Sequence, residues 1–135
     1  MSDHFGLPEF LHSDTALQQN IENHPSWEIV EALGRLADVL EEIRALLDAA
    51  PIEVTSGFRC PALNAAVGGV GDSAHLYGCA CDFVAPEFGD ITAIIEAVQP
   101  HMVILGIDQL IHEGDWVHLG LAVPPAPPRY ECFHV

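Results

Sequence analysis

The chain has no lysine. Its four arginines face twenty acidic residues, for a formal charge of −16. So little cation cannot neutralise a run of phosphates, which argues against nucleic-acid binding through a basic groove. The acidity is accounted for by solubility alone. Also missing is any apolar run of the ~18 residues needed to cross a bilayer, so no membrane partner is expected. The opening MSDHFGLPEF lacks the charged and apolar regions of a secretory signal. We therefore expect synthesis in the cytoplasm and either retention there or exit by a route that needs no signal. Cysteine is sparse: Cys60, Cys79, Cys81 and Cys132. A cytoplasmic start favours reduced thiols. Cys79 and Cys81 would share one face of a strand, but C-x-C is a weak zinc spacing, and small buried hydrophobes is the favoured reading.

Neither repeats, low-complexity tracts nor a long linker divide the sequence. Its 135 residues suffice for one domain with a real core and are too few for two ordinary ones, so residues 1–135 are expected to form a single domain. Half of them are hydrophobic, which predicts a folded chain.

Helical signals come first. Ser13 or Asp14 offers an N-cap, and NHPS marks a break. From Ser26 the apolar residues Val30, Leu33, Ala37, Leu40, Ile43 and Leu47 recur at helical spacing, and Pro51 is expected to end that helix. IEVTSGF alternates as a half-buried strand does. Pro61 to Val67 reads as a short helix, GGVGDS as a loop, CACDFVA as a strand, and Ile91 to Val98 as a helix. MVILGIDQLIHE and WVHLGLAV read as strands around a tight Gly114-Asp115 turn. The proline-rich tail PPAPPRYECFHV is expected to run over the surface. Helices that precede and interrupt a small, mainly antiparallel sheet define an α+β class.

SAHLYGCACD, residues 73 to 82, sets His75 and Asp82 around a glycine and small residues. It is either a loop entering a buried strand or a pair of ligands converging on a metal. If Gly114-Asp115 is a two-residue turn, Glu113 pairs with Trp116 and Ile111 with His118, and all four lie on one face. A His and a carboxylate so placed suit a metal ligand and a general base, and equally a surface ion pair. Two His and one Asp are donors suited to zinc, and three protein ligands leave a position open for water. Zinc lowers the pKa of such a water to ~7.

SAHLYGCACD matches the S-x-H-x-x-G-x-A-x-D motif of the zinc D-Ala-D-Ala peptidase family (peptidase M15), and WVH matches its second ligand motif. The resemblance extends through HFGLPEFLHSDTA, SGFRCPALNAAVGGVGDSAHLYG and DQLIHEGDWVH, nearly the whole chain. It is similar to the compact, phage- and prophage-associated branch, within the superfamily that also holds the hedgehog signalling domains. That resemblance implies a hedgehog/DD-peptidase-like fold and one zinc ion per chain, with His75, Asp82 and His118 as ligands. It implies Arg59 as the group that polarises the substrate carbonyl and stabilises the oxyanion, where a structural turn arginine is the alternative. Ser73 would orient a ligand or substrate group, or simply cap the loop.

The general base is either Asp115, by the family's spacing of three residues before the second His, or Glu113, by the hairpin register, with a slight preference for Glu113. Cys60 departs from the family's usual Ser or Thr, and thiols near a metal can bind it or oxidise. His112 and His134 have no place in the motif and read as surface or hydrogen-bonded histidines. The expected partner is a peptidoglycan stem peptide, cut at the D-Ala-D-Ala link or at an internal L-to-D link, by a monomer that acts on the wall after phage-type release or virion delivery. The rival reading is a zinc-stabilised, non-catalytic binding module of the same fold.

Overall fold

A hydrophobic helix and a five-stranded sheet meet along one face of the sheet, which leaves the other face open for chemistry. The structure, a computed structural model, describes residues 1–135. Two short helices, α1 (Leu7–Leu11) and α2 (Asp14–Gln19), lead into the long α3 (Trp27–Leu46). Ser13 and Ser26 cap α2 and α3, accepting from Ala16 N and Ile29 N. One stripe of α3, formed by Ala32, Leu33, Leu36, Ala37, Leu40 and Ile43, is buried. Each fully buried Leu or Ile in it contributes about 1.5–3 kcal/mol.

The strands are β1 (Glu53–Ser56), β2 (Ala80–Val84), β3 (Ile107–His112), β4 (Val117–Leu121) and β5 (Glu131–His134). Between them lie α4 (Pro61–Ala66), a 3-10 turn at Ala74–Tyr77, α5 (Ile91–Val98) and the short α6 (Met102–Leu105). The sheet order is β1-β2-β4-β3-β5. Three of its four pairings are antiparallel; β3–β5 is parallel. The expected α+β class is therefore observed.

Strand alternation sorts the sheet into two faces. Cys81, Phe83, Leu110, Val117 and Leu119 join the core with the α3 stripe, Ile94, Val98 and Met102. Phe5 and Phe10 bring the N-terminal segment into the same core. Asp82, His118 and Ile111 stand opposite one another across β2, β4 and β3 on the other face.

Three expectations are corrected. Met102–Leu105 is helical and is not the start of a strand. Its apolar run fits either period, and Pro100 before it and Gly106 after it (φ +68) close a helical turn that buries Met102. The proline-rich tail does not only run over the surface: beyond the prolines, Glu131–His134 pairs with β3 in the register Gln109↔Glu131 to His112↔His134. The long helix stops at Leu46, well before Pro51, because Asp48 and Ala49 turn into the left-handed region.

Candidate metal centre

His75 sits in the 3-10 turn, Asp82 in the middle of β2, and His118 in β4 as the register partner of Asp82. Gly78 makes that convergence possible. Its φ is +69, and a Cβ there would lie 2.9 Å from the carbonyl oxygen of Ile29. Only glycine lets the turn that bears His75 press on α3 and reverse into β2.

The donor atoms of His75, Asp82 and His118 all lie within 4.8 Å of one another. Asp82 Oδ1 is 3.0 Å from His118 Nδ1 and 3.5 Å from His75 Nε2. Tetrahedral zinc with bonds of about 2.0–2.1 Å needs ligand atoms about 3.3 Å apart, and the two distances straddle that edge. His75 Nδ1 donates to the Gly57 carbonyl at 2.7 Å, which fixes the tautomer and turns Nε2 toward Asp82. The two imidazoles are tilted, with centroids 5.3 Å apart. The donor set, and the two distances from Asp82 Oδ1, fit a zinc ion. Burial opposes ionisation of Asp82, but hydrogen bonds and charge from His118 and His75 outweigh it and hold the carboxyl well below its usual range.

Arg59 lies against this cluster. Its Nη2 is 3.6 Å from Asp82 Oδ2, its Nε donates to Ser56 Oγ (3.3 Å), and its Nη1 donates to Asn64 Oδ1 (3.3 Å). Burial lowers the guanidinium's pKa, and the charge of Asp82 opposes that. Backbone contacts lock the Arg59 segment in place. Phe58 N donates to the Phe10 carbonyl, Arg59 N to the His75 carbonyl, and Cys60 N to Asn23 Oδ1. Ser73 Oγ accepts from His75 N at 3.3 Å, so it caps the turn that bears His75 and also lines the adjoining cleft.

The hairpin register is as expected: Ile111 pairs with His118, and Glu113 N donates to the Trp116 carbonyl at 3.0 Å. By alternation Glu113 shares the face of His118. His112, on the opposite face, meets Thr92 of α5 at 3.1 Å and lies beside His134, with ring centroids 4.1 Å apart. Asp115 is exposed at the turn and lines a groove with Asp90, Thr92 and His112 that holds none of the three clustered residues.

All four cysteines are free. Cys81 faces the core, and burial, with the charge of Asp82 adding to it, pushes its thiol well up, so it stays protonated and away from the cluster. Cys79 is buried, and Cys60 packs partly against the core.

A cleft of about 530 Å3 opens beside His118 and Ser73, and a groove of about 260 Å3 opens beside Arg59 and Ser56. Of the clustered residues, His118 lines the cleft, and the groove reaches the cluster through Arg59, which lies against Asp82.

Sequence reasoning missed Asn23, Asn64, Asp108 and Arg129. Asn64 is buried; its Nδ2 donates to the Val70 carbonyl while Oδ1 accepts from Arg59. Gly69 is tied to it, because a Cβ there would fall 2.0 Å from Asn64 Oδ1. Asp108, buried at 7 % exposure, binds Arg129 through both carboxylate oxygens. An aspartate inside an apolar strand was the available signal, since such a residue is seldom buried unless paired.

A family model described as Peptidase M15 matches residues 3–120. A comparison with curated proteins finds no match. With that match spanning most of its length, the chain belongs to the peptidase M15 family.

Proposed function

We propose that the protein is a zinc metallopeptidase that hydrolyses peptidoglycan stem peptides. The observation that carries the reading is the convergence of His75, Asp82 and His118 with Arg59 fixed against Asp82, a cleft at His118 and a groove at Arg59. A zinc ion held by those three residues supplies Lewis acidity and an activated water near neutral pH.

The chain's own groups do the rest. The Gly57 carbonyl holds His75 in the tautomer that offers Nε2. Arg59 donates to the substrate carbonyl oxygen as it gains negative charge; such a donor is effective because Ser56 and Asn64 fix it beforehand. Glu113, on the face of His118, takes the proton of the attacking water and returns it to the leaving amine. Asp115 is the alternative base, favoured by the family spacing and disfavoured by its place at the exposed turn. The bond cut is the D-Ala-D-Ala link or an internal L-to-D link. The biological setting is phage or prophage lysis, with the enzyme acting as a monomer on the wall after release or virion delivery.

The test is digestion of purified peptidoglycan by zinc-loaded protein, with products identified by mass spectrometry beside His118→Ala, Glu113→Gln and Asp115→Asn. Release of a terminal D-Ala, or a cut between stem residues, seen only with the intact ligand set, establishes the peptidase and names its bond. Of the two carboxylate variants, the one that removes the base should lose about 10²–10⁴ in rate. No cleavage across several wall chemistries, despite stoichiometric zinc, replaces this reading with the non-catalytic binding module.

A further inference from the structure

The family match ends at residue 120, but the cleft does not. Six of its lining residues, Leu121, Ala122, Val123, Ala126, Pro127 and Arg129, lie beyond that point, facing His118 and Ser73. The segment is held by β5, which adds to the sheet beside β3. Its one cation is Arg129. Asp108 holds Arg129 from below: Oδ1 accepts from the Arg129 backbone N (2.7 Å) and from Nε (3.1 Å), and Oδ2 accepts from Nη2 (2.8 Å). This carboxylate is buried, while the guanidinium is 57 % exposed.

The other arginines are committed elsewhere. Arg59 is next to the clustered residues, Arg44 of α3 lines a groove that shares no residue with this cleft, and Arg35 of α3 lines a neighbouring groove on the far side of Val123 and is not among the cleft's own lining residues. A guanidinium has five N–H donors in a rigid fork. Asp108 takes two, and Glu131 lies 3.4 Å from Nη1 and takes a third. Glu131 is itself engaged, accepting from Gln109 Nε2 at 3.0 Å. Two donors remain on a side chain that borders the space beside His118.

We propose that this C-terminal wall is a carboxylate-binding subsite, in which Arg129, fixed by Asp108, reads a carboxylate of the bound peptide. The inference rests on the peptidase reading for the identity of that peptide. The carboxylate is either the peptide's own C-terminus or the acid group of the second-position glutamate; the chemistry is the same. A forked bond between ionised partners at this half-exposed side chain should give about a tenfold preference for acid over amide. Glu131 and Asp72, which also bring negative charge near Arg129, work against it.

The experiment titrates zinc-loaded protein calorimetrically with stem tri- and tetrapeptides. Each peptide is made as free acid and as C-terminal amide, and with glutamate or glutamine at its second position. Mass spectrometry of the same mixtures records any cleavage. Wild type should prefer one acid form at least tenfold, and the arm that shows the preference names the source. Arg129→Gln should abolish it. Because Arg129→Gln strands the buried Asp108, Arg129→Lys is measured beside it; it keeps the charge, loses the fork, and should cut the preference at least threefold. Equal binding of all four forms by wild type overturns the proposal, as does an Arg129→Lys protein that discriminates as well as wild type. Discrimination without cleavage of any wall peptide sinks the peptidase reading and keeps the subsite. Cleavage without discrimination does the reverse.

Discussion

Replacing Asn64 by Ala should separate the stability of the site from its chemistry. Asn64 is 4 % exposed and makes two side-chain bonds, to the Val70 carbonyl at 2.9 Å and from Arg59 Nη1 at 3.3 Å. The first, between neutral groups, is worth about 1 kcal/mol net. The second has a charged donor and would be worth about 1.5–3 kcal/mol if short, but its length puts it at the low end. Their loss totals about 2–3 kcal/mol, a sizeable part of the roughly 5–15 kcal/mol that holds a domain together. The variant should stay folded, with its urea midpoint lower by on the order of 1 M. Arg59 keeps Ser56 and Asp82 but gains freedom. Deleting an oxyanion donor costs about 10²–10³ in rate; a donor present but loosened should cost about tenfold in kcat/KM on a stem peptide. Asn64→Asp is the companion. It keeps an acceptor for Arg59 and loses the donor to Val70, so it should lose stability while holding most of the activity. If Asn64→Ala lowers the urea midpoint and leaves kcat/KM untouched, Arg59 does not depend on Asn64, and the account of how the arginine is fixed is refuted.

Gly78→Ala forces an L-residue to φ +69 with its Cβ 2.9 Å from a backbone oxygen of α3. It should cost more than about 2 kcal/mol in a thermal melt and weaken zinc binding, because His75 rides on that turn. Acid should act on the N-terminal segment. Burial works against the charge of Glu41, but hydrogen bonds from the His4 backbone and the His4 ring prevail and hold its carboxyl down to about 2 from the ordinary 4.5. A depressed folded pKa stabilises above the unfolded value and is lost as pH falls from about 4.5 to about 2. Wild type should therefore melt above Glu41→Gln at neutral pH, and the two curves should converge across that window. Parallel curves would show that the tether contributes nothing.

Where sequence and structure agree, the cause is local. Ile91–Val98 is a helix to the residue, and the Gly114-Asp115 turn sets Ile111 against His118, because both follow from periodicity and turn chemistry within a dozen positions. Spacing alone left the convergence of His75, Asp82 and His118 open; the family resemblance pointed to it, and the structure brings the three together through a turn that depends on one glycine. The tail was illegible for the opposite reason. Four prolines between residues 124 and 128 signal a loop, and the pairing of Glu131 with Gln109 is a contact across the chain that no local pattern announces. Asn23 and Asn64 escaped notice likewise, since an asparagine in a polar stretch looks the same whether it faces water or ties two loops together.

Asp82 and His118 are neighbours by strand register, on the face of the sheet turned away from the core that folds the chain. Their separation is therefore set by the ladder between β2 and β4 and not by an ion. Many small zinc domains are different: there the metal nucleates the fold and its removal unfolds the chain. On the peptidase reading, the backbone ladder would present Asp82 and His118 to a metal already at ligand spacing, with His75 added from its turn. Selection among divalent ions would then rest on a donor set of two nitrogens and one oxygen.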